Sequence, residues 1–406
     1  MDLIVAKFDG NALKDGLKFK DAAESVIKEH MKGNQVVVIA SAASNATDEL
    51  LTLSTEAAGN FLTDSQKAEI MAMGERTSAR LLKSAIESKG FKAEVIDPYN
   101  DLWPIITDTN FLEAKIDLEQ SQAKINTLKI LLNQGIIPVV CGFLGKGPHG
   151  EITTLGRGGS DITAFLIGNS LNADEIIIVS DVEGVMSSDP TQIEKAKLVR
   201  EISVEELRNL STKGVQLIHP HALKYKTKDL KAKIINASHV DLTADGTEII
   251  GPFDDSTLKT VSLYGYPLSI IALVGDELLS KVGLLSNLTR YLAEHDLNIY
   301  KISVGDNSIT IFIDKKEAQR AYHILHDFVL KSDVFNSLSL GKDTAMITIV
   351  SLDIIEKPGI ISSITEQLRK NNIKIIEINS SQTAIVVIVD WADGETAKDL
   401  IEEILE

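Results

Sequence analysis

One cysteine, Cys141, stands in 406 residues. It has no partner in the chain for a disulfide, which fits a reducing compartment. Its neighbours, Pro138 to Gly142, form an apolar run that reads as a buried strand, so a reactive thiol is not expected there. Long hydrophobic runs are also missing. No uninterrupted apolar stretch reaches the roughly 18 residues needed to span a bilayer, and no membrane partner is expected. Basic side chains are in deficit: 41 Lys and Arg face 58 Asp and Glu, for a formal net charge of −17. That balance argues against a nucleic-acid or anionic-membrane surface, which needs a basic patch. It also requires that an anionic substrate be held by a locally cationic site. The acidic Asp2, followed by a short strand-like run, does not read as a secretory leader. A cytoplasmic location is therefore expected.

What is present is a globular composition, 44% hydrophobic and 24% charged, in a chain too long for one typical core. Two or three domains are expected. Up to about residue 250, short apolar runs alternate with longer amphipathic ones. Leu3 to Ala6, Val36 to Ala40, Ala93 to Ile96, Ile136 to Cys141 and Ile176 to Val179 read as buried strands. Lys20 to Met31, Ala68 to Lys89, Gln122 to Asn133 and Asp161 to Leu171 read as helices. The alternation predicts an α/β layer with a mainly parallel sheet. In such sheets ligands sit beyond the carboxyl ends of the strands. Lys7, Ser41, Gly142 and Asp181 each fall at or just after a strand end and are expected to line one crevice.

The run from Thr153 to Asp161 concentrates chemistry in a few residues. Ser160 reads as the N-cap of the following helix, with Asp161 in its first turn. Gly156, Gly158 and Gly159 let backbone amides approach an anion, and Arg157 offers a planar guanidinium suited to a carboxylate or phosphate. By itself the run is equally readable as a tight loop before a capped helix.

Turn residues without periodicity cluster at Asp245-Gly246, Gly251-Pro252 and Asp254-Asp255-Ser256, and mark a domain boundary. Beyond it lies an internal repeat with an offset of 76 residues: Val282-Gly283-Leu284-Leu285-Ser286 aligns with Pro358-Gly359-Ile360-Ile361-Ser362. Leu288/Ile364, Leu292/Leu368, Ile299/Ile375 and Ile309/Ile385 match in type without a gap. Two copies of this size predict paired α+β modules. The expected divisions are 1–250, a linker 251–262, a first module 263–335 and a second 336–406, with strands exchanged between modules as an open arrangement.

Six segments, taken together, resemble the amino acid kinase family, and within it the aspartate kinases. They are Lys7-Phe8-x-Gly10, Ser41-Ala42 with Thr47-Asp48-Glu49-Leu50-Leu51, Gly74-Glu75-Arg76-Thr77-Ser78, Thr154 to Asp161, Ser180 to Val185, and Ser188-Asp189-Pro190. The tandem repeats resemble the paired ACT domains of that family. The resemblance implies a three-layer catalytic domain with a mainly parallel sheet, followed by ACT-like regulatory modules. It implies phosphorylation of the aspartate side-chain carboxylate by ATP, the first step toward lysine, threonine and methionine. Lys7 would then stabilise the transferring phosphoryl group and Asp161 would orient Lys7. Ser41, Thr47, Glu75, Arg157 and Ser160 would hold aspartate, with Arg157 on a carboxylate and Glu75 on the α-ammonium. Gly10, Gly158, Gly159, Ser180, Asp181, Asp189, Lys213 and Gln216 would line the nucleotide site, with Mg²⁺ bound through ATP. A lysine or threonine effector would meet Asp276, Gly283, Asn298, Ile299, Asp353, Gly359, Asn379 and Ser380. A homodimer or larger assembly through the modules is expected.

Plainer readings stand beside several of these. Lys7 is an ordinary strand-end charge, Glu75 a surface partner of Arg76 or Arg80, Asp181 a turn residue before Gly184, and Thr47-Asp48 a helix cap. His219-Pro220-His221 lacks a third ligand, so no protein-held metal is expected. The chain also departs from the family at Asp9, Asn11 and Ala12, where a glycine-rich turn with hydroxyls is usual. Gln216 stands for a usual lysine, with Lys213 close by, and Met186 for a common tyrosine. Because these changes fall on the nucleotide side, a non-catalytic or weakly active amino-acid-sensing paralogue is the alternative. A kinase for another acid fits less well, since Glu75 and Arg157 suit an α-amino acid.

Overall fold

The structure, a computed structural model, describes residues 1–188, 193, 195–211, 217–253, 259–351, 359–381 and 384–405. It divides into two compact units, Met1–Asp254 and Asp255–Glu406.

The first unit is built on β1 (Leu3–Phe8), α1 (Gly16–Met31), β2 (Gln35–Ala40), α2 (Ala46–Ala58), α3 (Asp64–Glu87), β3 (Ala93–Ile96), α4 (Leu118–Ile125), α5 (Lys129–Asn133), β4 (Ile137–Cys141), β5 (Leu144–Lys146), β6 (Ile152–Thr154), α6 (Gly159–Leu171), β7 (Glu175–Ser180), β8 (Glu201–Ser203), α7 (Val204–Ser211), β9 (Lys231–Asn236) and β10 (Gly246–Ile250). Among the described residues eight strands form one sheet in the order β3-β4-β2-β1-β7-β9-β10-β8. All its pairings are parallel except β9 with β10. The central strands are continuous Val/Ile runs because both faces are covered. Val5 faces α6, lying against Gly168, while Phe8 lines a small cavity with Ala22 and Ser25 of α1. Helices therefore flank the sheet on both sides, giving three layers.

Helix starts differ from the expected bounds where side-chain caps set them. α1 starts at Gly16 because Asp15 accepts hydrogen bonds from the Leu17 and Lys18 amides. α3 starts at Asp64 behind a capping box made by Thr63 and Gln66. The helix expected over Gln122 to Asn133 is broken into α4, a 3-10 turn at Asn126–Leu128, and α5. There Asn126 Nδ2 donates to the Gln122 carbonyl (3.0 Å) and Thr127 Oγ1 to the Lys124 carbonyl (2.6 Å), so side chains compete for helix acceptors.

The second unit holds β11 (Lys259–Leu263), β12 (Leu268–Gly275), α8 (Leu284–Ala293), β13 (Lys301–Val304), β14 (Ser308–Asp314), α9 (Lys315–Leu330), β15 (Phe335–Ser351), α10 (Ile360–Lys370), β16 (Ile375–Ser380), β17 (Ala384–Asp390) and α11 (Gly394–Leu405). One antiparallel sheet runs β13-β14-β12-β15-β17-β16, with β11 also on β15. β15 spans 17 residues: its first half pairs with β12, its second with β17 and β11. Residues 259–263, read as part of a linker, thus form a strand of the second copy's half of the sheet. The 76-residue repeat is visible as equivalent geometry. Gly283 and Gly359 both cap a helix in the left-handed region, at φ 81° and 97°. Leu288 with Leu292, and Ile364 with Leu368, fill the centres of two separate cores.

Leu292→Ala and Leu368→Ala should each destabilise by about 2–5 kcal/mol, the usual cost of a buried Leu-to-Ala cavity. Lying in different clusters, their effects should add within about 0.5 kcal/mol. Denaturant unfolding of the single and double variants measures both.

Candidate active site

The sheet register sets the site. Phe8 pairs with Ala40 on one side and Val179 on the other, and Ala40 pairs with Cys141. Asp9, Ser41, Gly142 and Ser180 therefore share one row at the carboxyl edge of β1, β2, β4 and β7. Chain order reverses across β1, since β2 lies on one side and β7 on the other. That is where open α/β sheets open a ligand crevice.

Lys7 sits one residue inside the end of β1 and is 5% exposed. A lysine is tolerated there only with its charge matched. Its Nζ lies 2.6 Å from Asp161 Oδ1, in the first turn of α6, and also pairs with Asp9 Oδ1. Burial alone would lower the pKa of Lys7, but Asp161 and Asp9 outweigh it and hold the ammonium above its ordinary value. Burial, first, raises the Asp9 carboxyl, and Lys7 opposes that only in part. Asp161 is fixed from its other oxygen by the His219 backbone amide at 3.1 Å.

Ser160 does not cap α6. The cap is Gly158, at φ 71°, and the helix begins at Gly159. Packing forces the shift: a Cβ on Gly158 would lie 2.0 Å from His219 Cβ, and one on Gly159 2.8 Å from Phe143 Cδ2. The two glycines let the loop press close enough for Asp161 to reach Lys7. Ser160 instead turns toward Gly142, where an added Cβ would meet its Oγ at 2.6 Å.

A second cluster forms where the segment after β2 crosses α3. Gly74 lets it in: a Cβ there would meet Ala42 Cβ at 2.7 Å and Thr47 Oγ1 at 3.3 Å. The next residue, Glu75, is 4% exposed. Burial pushes its carboxyl up to about 8, only partly offset by backbone amides of Glu75 and Ala42. Its Oε2 has no hydrogen-bond partner among the described residues, and neither has the buried Ser41 Oγ. Arg76 and Arg80 do not serve Glu75. Both reach Asp97 Oδ2, at 3.1 and 2.7 Å. Although burial would raise it, these two guanidiniums hold the Asp97 carboxyl below its ordinary value. Arg157 is exposed and pairs with no acidic side chain among the described residues. The site thus offers a buried carboxylate without a cation and an exposed guanidinium without an anion.

On the other side, Gly10 is clamped under the segment after β2: its Cβ would meet the Ala42 carbonyl at 2.7 Å. Asn11 Nδ2 donates to Asp181 Oδ2 at 3.0 Å, and the Ser180 hydroxyl lies 3.4 Å from Asp181 Oδ1. Asp181 therefore faces the β1 loop across the switch point. Asp189, Lys213 and Gln216 lie outside the described residues, as does Asp353 in the second unit. His219 and His221 stack, ring centroids 5.3 Å apart. In the second unit Asp276 Oδ2 accepts from Asn336 at 3.3 Å, and Gly283 lines a pocket with Leu278, Lys281, Ser286 and Val304. Ile299 packs on that half's core, whereas Asn298, Asn379, Ser380 and Gly359 are exposed.

Two site contacts escaped the sequence reading. The Lys7–Asp9 pair had a signal, since residues two apart in extended backbone point to the same side, and the Asp9 amide carries the β1 ladder one bond beyond the strand. The His219 amide had none, because a backbone donor arriving from 58 residues away leaves no local pattern.

The family model described as the amino acid kinase family matches residues 2–236, and an ACT domain model matches residues 265–327. Curated relatives include an aspartokinase of Helicobacter pylori, 29% identical, covering 97% of each chain. Aspartokinase 2 of Bacillus subtilis is 28% identical over 100% of this chain and 98% of its own. Among solved structures, the aspartate kinase of Synechocystis superposes with a TM-score of 0.77 at 23% identity, covering 99% of this chain and 69% of that one. Escherichia coli aspartokinase III in complex with aspartate and ADP gives 0.55 at 21% identity and 99% coverage of both. At these identities the structural likeness concerns the fold.

The Glu75 shift carries a signed stability prediction. Its folded pKa, about 8, exceeds its ordinary value of 4.5. Between these pH values the folded state holds a proton that the unfolded state has lost, so stability falls as pH rises through the window. Glu75→Gln removes this cost. In ligand-free protein the variant should melt above wild type at pH 8.5, and the difference should vanish by pH 5. Thermal melts across that range check it; a pH-independent difference contradicts it.

Proposed function

The chain belongs to the amino acid kinase family, and from that premise we propose that it is an ATP-dependent L-aspartate 4-kinase, regulated by an amino acid at its C-terminal unit. The observation that carries this reading is the buried, cation-free Glu75 carboxylate at the Ala42 amide, in the segment that leaves β2 beside the strand carrying the Lys7–Asp161 pair. A buried carboxyl of raised pKa, with the unpartnered Ser41 hydroxyl oxygen as a further acceptor, fits the α-ammonium of an amino acid. Arg157 supplies the complementary cation for its α-carboxylate, and Thr47 and Ser160 complete the polar rim.

The chemistry asks for little beyond placement. Aspartate's side-chain carboxylate needs no general base, because its nucleophilic oxygen is already deprotonated at neutral pH. That oxygen attacks the γ-phosphorus of ATP, a new P–O bond forms, the bond to the β-phosphate oxygen breaks, and ADP leaves. Lys7 neutralises charge on the transferring group, and Asp161 keeps its ammonium aimed. The α6 N-terminus, entered at Gly158, turns its first-turn amides toward anionic oxygens, while the Gly159 amide is already given to the Gly156 carbonyl at 3.1 Å. Gly10, Ser180 and Asp181 border the nucleotide side, to which Asp189, Lys213 and Gln216 are assigned from the sequence. Mg²⁺ bound through ATP would supply further charge neutralisation.

An Escherichia coli neighbour of this fold was solved with lysine and aspartate. Lysine or threonine is the proposed effector here, in the pocket beside Gly283 or its equivalent at Gly359. Assembly through the modules and a place at the head of lysine and threonine synthesis belong to the same reading. The Lys7–Asp9 pair favours a second one, a non-catalytic or weakly active sensor, because Asp9 competes for the catalytic cation.

Two measurements separate them. Aspartate-dependent release of ADP, with the acyl phosphate trapped by hydroxylamine, is expected. Lys7→Ala should cut kcat by about 10²–10³; well-folded protein without aspartate-dependent turnover would leave the sensor reading. Aspartate binding should also ionise Glu75 and release up to one proton at pH 7. Calorimetry in buffers of different ionisation heat counts it, and Glu75→Gln should abolish it.

A further inference from the structure

Lys7 is one cation between two carboxylates, and the two are held very differently. Asp161 stands on α6 and is fixed from behind by the His219 amide at 3.1 Å. Asp9 stands on the turn after β1. Its backbone is pinned, since its amide donates to the Val179 carbonyl at 2.9 Å, and Gly10 is wedged against the Ala42 carbonyl. Asn11 ties the same turn to Asp181. The contact with Lys7 is therefore released by side-chain rotation and not by movement of the turn. The groups facing Asp9 are Lys7 from β1, Asp161 from α6 and the Ser180 hydroxyl at the end of β7. With both carboxylates ionised this cluster is net negative, at the point where a phosphoryl group must arrive.

Resting on the kinase reading, we propose that Asp9 is a built-in competitor for the Lys7 ammonium, which it must release before the γ-phosphoryl group of ATP can take that cation. Asp9 thereby sets nucleotide affinity and selects against ATP relative to ADP. ADP lacks the group that contests Lys7, so it binds without displacing Asp9. Aspartate meets Glu75 and Arg157 instead and is indifferent to the exchange. Asp9 is a positioning residue, acting through Lys7.

The test is calorimetry on the full chain with a non-hydrolysable ATP analogue and with ADP, each with Mg²⁺, alongside steady-state kinetics. Asp9→Asn keeps the shape and removes the charge. It should tighten the analogue about tenfold, equivalent to about 1.4 kcal/mol, while ADP moves less than about threefold. The KM for ATP should fall by a similar factor, with the KM for aspartate unchanged. Asp9→Ser reads the same quantities should the Asn variant fail to fold. Analogue affinity unchanged or weakened, or ADP tightened equally, overturns the competitor while leaving the kinase reading intact. If neither wild type nor variant binds any adenine nucleotide, the kinase reading fails and the competitor falls with it.

Discussion

The site depends on the ion pair between Lys7 and Asp161. A buried ammonium is costly unless a carboxylate meets it, and leaving one partner alone costs far more than the pair contributes. Meeting that demand fixes much else. α6 must begin beside the end of β1, so the loop before it must pack to within a few ångströms of His219 and Phe143, and only glycine fits at 158 and 159. The same closeness brings the free amides of the helix start to the crevice. One electrostatic requirement thus sets the backbone, the choice of residues and the position of the helix start.

The opposite charge logic governs Glu75. There the chain places a carboxylate in a dry position and withholds the cation, sending Arg76 and Arg80 to Asp97. Folding carries a stability cost at neutral pH, and a ligand ammonium would recover it. Stability deferred in this way is a common property of binding sites. Lys7 is paired before any ligand arrives and Glu75 is not; on the proposed reading an ammonium would meet no competitor, whereas a phosphoryl group would have to displace Asp9.

The central strands were legible because a sheet buried on both faces requires unbroken apolar runs, as in β2 and β7. The crevice was legible because its residues follow those runs. The helix starts were less so, since Asp15 and Thr63 act through side-chain caps that sit outside the periodic pattern. Ser160 misled: it is a good cap by type, but close packing gave the position to Gly158. The repeat revealed two equivalent cores through Leu288/Ile364 and Leu292/Leu368. It did not reveal that β15 would serve both halves or that residues 259–263 would join the second, because strand pairing depends on partners distant in sequence. Glu75 was legible as a site residue only through resemblance; nothing local announces that two neighbouring arginines will turn away.

Phosphorus NMR of the protein with ATP, Mg²⁺ and L-aspartate tests the account most directly. It predicts an acyl-phosphate resonance growing in step with ADP, dependent on aspartate and lost in Lys7→Ala. ADP formed equally without aspartate, or an acyl phosphate formed equally by the Lys7 variant, would contradict it.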